Sequence, residues 1–278
     1  MPDILTKKEA VKFLELDEKT FENYFKNADE ITPLPRAGRG RFTFNKTDLE
    51  EWRKDYDQRT IALDRDDYAR CMDFVLAQHF RGYVTSDWGT SRIREFGQKV
   101  TNWVKGQLGE IAVQKFFKQK FNVSVELDFD IHPNIVPQDI TKVLKRSKWV
   151  EPSIGVGIKS SKPKSAYLVL GGNEVEIPER SSDVYIYCRP ALEDDHLLRV
   201  SKSEITKLVS GQPHYDKYKN DIPDLGNIPC EIAGYCYKDE LEKVTSIPGQ
   251  TFDGHRYVIK SGRLHRDKKS WRELLNRL

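Results

Sequence analysis

A 26-residue run, FGQKVTNWVKGQLGEIAVQKFFKQKF (96–121), does most to limit what this chain folds into. Val100, Val104, Leu108 and Ile111 recur at helical spacing, so the run predicts one long helix with an apolar side. Gly106 and Gly109 interrupt good helix formers at roughly 1 kcal/mol each relative to alanine, which implies something packed close to the backbone there. Glu110 follows at once, on the flank of the apolar side. Next, VSVELDFDI (123–131) alternates apolar and polar residues as a half-exposed strand does, and PQDITKV starts a second strand at Asp139. KRSKWVEP (145–152) reads as a turn, and SIGVGIKSSK (153–162) as an apolar strand with Lys159 at its end. A long helix followed by three strands predicts an α/β core, a mixed central sheet flanked by helices.

Adjacent strands can bring Asp139 and Lys159 together although they lie 20 residues apart. That pair suits phosphodiester cleavage. A carboxylate pair can hold Mg²⁺, which polarises phosphate oxygens and acidifies water. A lysine beside it orients the water and neutralises developing charge.

PQDI…GIKSSK, preceded by KGQLGEIAVQKFF, resembles the PD-(D/E)xK nucleases, and type II restriction endonucleases in particular, over roughly residues 95–190. The resemblance implies a restriction-endonuclease-like fold, Asp139 as a metal ligand, Lys159 as the catalytic lysine and Glu110 as the helix glutamate that completes the site. It also implies Mg²⁺-dependent, sequence-specific cleavage of double-stranded DNA by a homodimer, leaving a 5′-phosphate and a 3′-hydroxyl. Gly157 departs from the pattern, because it stands where such enzymes usually carry a second acid. Glu110 could replace that acid from the helix, Glu174 could reach back from a hairpin beyond the GGN turn, or the site could be dead. Two further readings stay open: a DNA-binding regulator on a decayed nuclease fold, and a repair or mobile-element nuclease.

Residues 1–56 read as a separate unit. Thr6 and Glu9 form a capping box, Asp17 caps a second helix containing Phe21, Tyr24 and Phe25, and Asn45 caps a third, KTDLEEWRKDY. PLPRAGRGRFTF (33–44) lies between as a basic hairpin ending in the strand RFTF. This order resembles the winged helix-turn-helix of excisionase and MerR-like regulators. The resemblance implies that Lys19, Thr20, Asn23 and Lys26 face DNA, with Arg36, Arg39 and Arg41 on the wing. A protein-contact role would leave the same pattern, because Asp17, Glu18 and Glu22 lie on or beside that face. The nuclease resemblance implies that residues 57–278 form a nuclease domain, with 57–95 read as a connecting helical region.

After the core, AYLVL and EVEI flank GGN as a hairpin, DVYIYC, PCEIAGYCY and RYVIK read as strands, and KKSWRELLNRL closes as an amphipathic helix. The net charge of +3 permits nucleic acid as a partner without arguing for it. The longest apolar run is about five residues against the roughly 20 of a membrane span, so no membrane partner is expected. The start MPDILTKKEA lacks a signal-peptide core, so a cytoplasmic protein is expected. Cys71, Cys188, Cys230 and Cys236 lack finger spacing and read as buried reduced thiols. No G-x-S-x-G, HExxH or HNH-like spacing is present.

Overall fold

The computed structural model describes residues 3–35, 40–81, 95–130, 138–218 and 220–278, the side chains of residues 81, 215, 216 and 218 excepted. The N-terminal part runs β1 (Ile4–Thr6), α1 (Lys7–Phe13), α2 (Glu18–Glu22) with a π-helical continuation over Asn23–Asn27, β2 (Thr43–Asn45) and α3 (Lys46–Gln58). The expected caps are present. The Thr6 N–H donates to Glu9 Oε2 at 2.8 Å, the Thr20 N–H to Asp17 Oδ1 at 2.9 Å and the Thr47 N–H to Asn45 Oδ1 at 3.0 Å. β1 pairs with β2, and Phe21, Phe25, Phe44, Leu49 and Trp52 form a second core that also takes in Ala166, with Phe21 and Phe44 edge-on at 4.9 Å.

The rest continues as β3 (Thr60–Leu63), α4 (Arg65–Arg81), α5 (Phe96–Phe121), β4 (Val125–Leu127), β5 (Ile140–Lys145), β6 (Lys148–Val150), β7 (Val156–Ser160), β8 (Tyr167–Gly171), α6 (Gly172–Glu176) and β9 (Val184–Pro190). It ends with α7 (His196–Val200), α8 (Lys202–Val209), α9 (Pro213–Tyr218), β10 (Ile228–Tyr237), β11 (Glu242–Ile247), β12 (Gln250–Lys260) and α10 (Lys268–Arg277). The architecture is mixed α/β. Its central sheet has the order β3-β10-β9-β7, with β7 parallel to β9 and the other pairs antiparallel.

The two faces of β9 explain the layering. Val184, Ile186 and Cys188 pack towards α5, whereas Tyr185 and Tyr187 pack towards a second sheet, β11-β12-β8. A bulge between Ile232 and Gly234 of β10, where Gly234 has φ of 139°, resets the alternation so that Tyr235 returns to the α5 side. The third sheet, β4-β5-β6, reaches the open edge of β7 through the Asp139 N–H, which donates to the Val156 carbonyl at 3.1 Å.

Several expectations need correction. Thr60–Leu63 is a strand, not part of a helical connection, because β10 offers it an edge. Of the strand expected over 123–131, the described residues are paired only over Val125–Leu127, and residue 131 lies outside them. Glu174 lies in the helix α6 and not in a hairpin arm, because its carboxylate accepts the Gly171 N–H at 2.8 Å and so caps a helical turn. The break expected after α4 falls on residues 82–94, outside the described residues. No helix among the described residues is long and apolar enough to cross a membrane.

A buried ionic network ties the N-terminal part to the central sheet. The Glu30 side chain is fully buried and meets Arg189 at 2.8 Å, Arg59 at 3.3 Å and Arg266 at 3.5 Å. Arg189 and Arg59 also pair with buried Glu231. Burial alone would raise the Glu30 carboxyl, but Arg189, Arg59 and Arg266 hold it down at about 2. Removing its charge strands buried guanidinium groups. Glu30→Gln is therefore expected to lower unfolding stability in urea by about 3–5 kcal/mol.

His196 supplies a pH test. It is fully buried, between the Tyr68 hydroxyl at 2.7 Å and the Thr101 hydroxyl at 2.9 Å. Burial, then the Lys105 charge, lowers its pKa from 6.5 to about 4. The unfolded chain therefore binds a proton between these values that the folded chain refuses, and stability present above pH 6.5 drains away as pH falls towards 4. Urea titrations at pH 7 and pH 5 should differ by about 2 kcal/mol from this group, and the difference should shrink in His196→Gln.

Candidate functional site

The site begins with a close approach. A Cβ on Gly109 would lie 2.0 Å from Ser160 Oγ and 3.2 Å from Cys188 Cβ, so any larger residue would force Ser160 and Cys188 to give way where α5 settles on β7 and β9. Gly106 is different: a Cβ there would meet nothing within 4 Å, and the close packing expected of it is absent. Glu110 is carried into the interior beside Gly109 and is 8% exposed. One turn earlier, Gln107 Nε2 donates to Glu110 Oε1 at 2.9 Å. Gln107 Oε1 is buried without a hydrogen-bond partner.

Asp139 sits at the open edge of β7. Its N–H bonds the Val156 carbonyl, and its Oδ2 accepts the Ile158 N–H. Two backbone bonds thus fix the carboxylate beside the strand that bears Lys159. Lys159 Nζ lies 3.5 Å from Glu174 Oε1, with both side chains about one third exposed. The structure therefore brings Glu110, Asp139, Lys159 and Glu174 into one neighbourhood.

The charges of these groups interact strongly. Burial, then the Asp139 charge, pushes the Glu110 carboxyl well above its ordinary range, against the pull of Lys159 and Arg70. Burial also raises Asp139, while Lys159 and the Ile158 N–H oppose the rise. Burial would lower the Lys159 ammonium, but Asp139 and Glu174 keep it above its usual value. Asp128 adds repulsion to both carboxyls. Two such carboxyls repel each other when ionised, and a divalent cation between them relieves the repulsion.

Mg²⁺ suits this donor set, because it is held by one or two carboxylates and keeps several waters. Among the described residues no three His, Cys, Asp or Glu side chains gather as an all-protein cage. Glu110 and Asp139 are the residues that could hold the ion, with the unpartnered Gln107 oxygen available to one of its waters.

Gly157 has a physical reason. A Cβ there would meet Ser182 Oγ at 2.8 Å and the Tyr185 ring at 3.2 and 3.3 Å. The volume an acid needs is filled by Tyr185. The same tyrosine donates through its hydroxyl to the Glu174 carbonyl at 3.1 Å, which fixes α6 against β9. Tyr185, Asp128, Arg70 and Gln107 were not singled out from the sequence. Only Gln107 carried a signal, one helical turn before Glu110.

The residues expected to face DNA are less uniform. Lys19 and Arg41 are exposed, and Lys26 is exposed but pairs with Glu22 at 2.9 Å. Thr20 does not face outward: it is 3% exposed and its hydroxyl bonds Asp17, because the helix cap draws it inward. Asn23 turns towards the rest of the chain and donates to the Lys164 carbonyl. Arg36 and Arg39 lie outside the described residues. Compared with family models, curated proteins and solved structures, the chain finds no match.

An acid at 157 is expected to harm and not to help. Gly157→Asp should lower the urea midpoint by an amount equivalent to about 1–3 kcal/mol through overpacking against Tyr185 and Ser182. An unchanged midpoint would show that the strand has room for the missing carboxylate.

Proposed function

We propose that this chain is a Mg²⁺-dependent deoxyribonuclease that cleaves double-stranded DNA at specific sites, in the manner of type II restriction endonucleases. The observation that carries the reading is the placement of Asp139, pinned by the Val156 carbonyl and the Ile158 N–H beside the strand that bears Lys159, with the buried Glu110 near enough for Asp139 to raise its carboxyl. The homodimer, the restriction-endonuclease-like fold and the winged helix-turn-helix belong to the same proposal. In it, Lys19, Lys26, Arg36, Arg39 and Arg41 meet the DNA backbone.

The residues divide the work as follows. Asp139 and Glu110 hold the metal, the first aligned by the Ile158 N–H and the second by Gln107. Mg²⁺ bound there supplies Lewis acidity towards a phosphate oxygen and lowers the pKa of bound water. Lys159 donates to the attacking water or to a phosphate oxygen and offsets the charge that builds up during attack. Glu174 keeps the Lys159 ammonium charged and in place. Glu110 is the better replacement for the acid missing at Gly157, because its carboxyl feels Asp139 more than any other charge, whereas the Glu174 carboxylate is engaged with the Gly171 N–H and Lys159.

Incubating supercoiled plasmid with pure protein should give discrete fragments with Mg²⁺ and none in EDTA. Glu110→Gln and Lys159→Ala should each cut at least about 100-fold more slowly while still binding DNA, as expected when a group that stabilises transition-state charge is lost. Glu174→Gln should keep activity within about tenfold, on the same principle that an indirect contact costs less. Normal cutting by Glu110→Gln with a dead Glu174→Gln would move the second ligand to α6. Sequence-specific binding with no cleavage under Mg²⁺ or Mn²⁺ would favour the regulator.

A further inference from the structure

Lys159 and Glu174 also line a cavity of about 490 Å³, and its far wall comes from the N-terminal part of the chain. Asn23 and Asn27, from the π-helical turn after α2, face it, together with Lys164 from the loop after β7 and Gln250 from the start of β12. Three segments distant in sequence therefore meet around a space of the size that commonly holds a small ligand.

The walls are held firmly. Asn23 donates to the Lys164 carbonyl, and Asn27 Nδ2 donates to Asn23 Oδ1 at 2.8 Å. Lys164 Nζ bonds Asp17 Oδ2 at 2.8 Å, so the loop is fastened to Asn23 through its backbone and to the N-cap of α2 through its side chain. Lys164 itself has φ of 70°, a left-handed conformation that a lysine keeps only when its surroundings impose it. Ser161 donates to Ser165 across the loop at 2.9 Å. On the opposite rim, Ile247-Pro248-Gly249-Gln250 closes the β11–β12 hairpin, with Gly249 at φ of 80° as a tight turn with proline in second place requires.

The lining has two kinds of chemistry. Lys159 and Lys164 are the cations, partly balanced by Glu174 at 3.5 Å and by Asp17 at 2.8 Å respectively. The amides of Asn27 and Gln250 offer hydrogen bonds; among the described residues nothing bonds Asn27 Oδ1 or the Gln250 amide. A phosphate suits the first end and the edge of a nucleobase or a sugar hydroxyl suits the second. Resting on the nuclease reading of Lys159, we infer that this cavity receives one nucleotide of the substrate strand, with its phosphate at Lys159 and Lys164 and its nucleoside against Asn27 and Gln250. The helix continuation at Asn23–Asn27 is then a wall of the cleavage cleft, and Asn27 and Gln250 are substrate-positioning residues of that cleft.

The test reads binding and cleavage separately, on the full chain. Anisotropy of a fluorescein-labelled single-stranded pentathymidylate, in Ca²⁺ so that nothing is cut, reports the cavity; plasmid cleavage in Mg²⁺ reports the enzyme. Asn27→Ala and Gln250→Ala should each weaken oligonucleotide binding at least tenfold and raise KM more than they lower kcat, with unchanged unfolding midpoints. Gln250 carries the test should Asn27→Ala unfold, since its side chain is exposed and supports no other residue. If both folded variants bind and cut like the parent, the cavity does not hold the strand, although the nuclease reading survives. If the parent never cuts but binds the oligonucleotide and both variants lose it, the nuclease reading fails and the nucleotide site stands. If the parent does not bind the oligonucleotide at all, the inference is overturned.

Discussion

The contact between Gly109 and Ser160 is the constraint on which the site depends. α5 lies this close to β7 because no side chain separates them at that point. The approach places the next residue, Glu110, in the interior instead of on a solvated helix face, where a glutamate would ordinarily stand. Burying a carboxyl costs free energy unless something compensates. Gln107 provides one hydrogen bond, but the repulsion from Asp139 remains. Protonation answers part of this cost, since burial and Asp139 push the Glu110 carboxyl well above its ordinary range; on the proposed reading a bound cation takes over that role.

The sheet supplies the complementary half. β7 is parallel to β9 on one side and open on the other, and the open edge is taken up by Asp139 through the Val156 carbonyl and the Ile158 N–H. Lys159 and Gly157 share the face of β7 that looks towards Tyr185, Tyr187 and α6. Tyr185 fills the place beside Gly157 and braces α6, while α6 presents Glu174 to Lys159. Gly157 and Tyr185 are thus one packing solution. A carboxylate at 157 would crowd this ring and Ser182, so on the proposed reading the second acid comes from another element.

Much of this was legible in the sequence because it is local. The helix over 96–121, its apolar side, the three N-terminal caps and the cost of Gly109 all follow from residues within a few positions of one another. The neighbourhood of Asp139 and Lys159 was legible because consecutive elements commonly pack side by side. What escaped depends on distant partners. β3 has four residues and exists because β10 pairs with it. Glu174 turned out to cap a helix through a bond that its GGN surroundings did not announce. Thr20 looked like an exposed helix residue until Asp17 drew its hydroxyl inward. The buried network joins Arg59 to Glu231 across 172 positions, and no periodicity reports such a pair.

Everything functional here turns on whether Glu110 and Asp139 jointly bind a metal ion. Titrating the protein with Mn²⁺ and following free Mn²⁺ by electron paramagnetic resonance measures that directly, without DNA and without catalysis. The account predicts one bound ion per chain, lost in Glu110→Gln and in Asp139→Asn and retained in Glu174→Gln. No bound Mn²⁺ in the parent, or binding abolished only by Glu174→Gln, would contradict it.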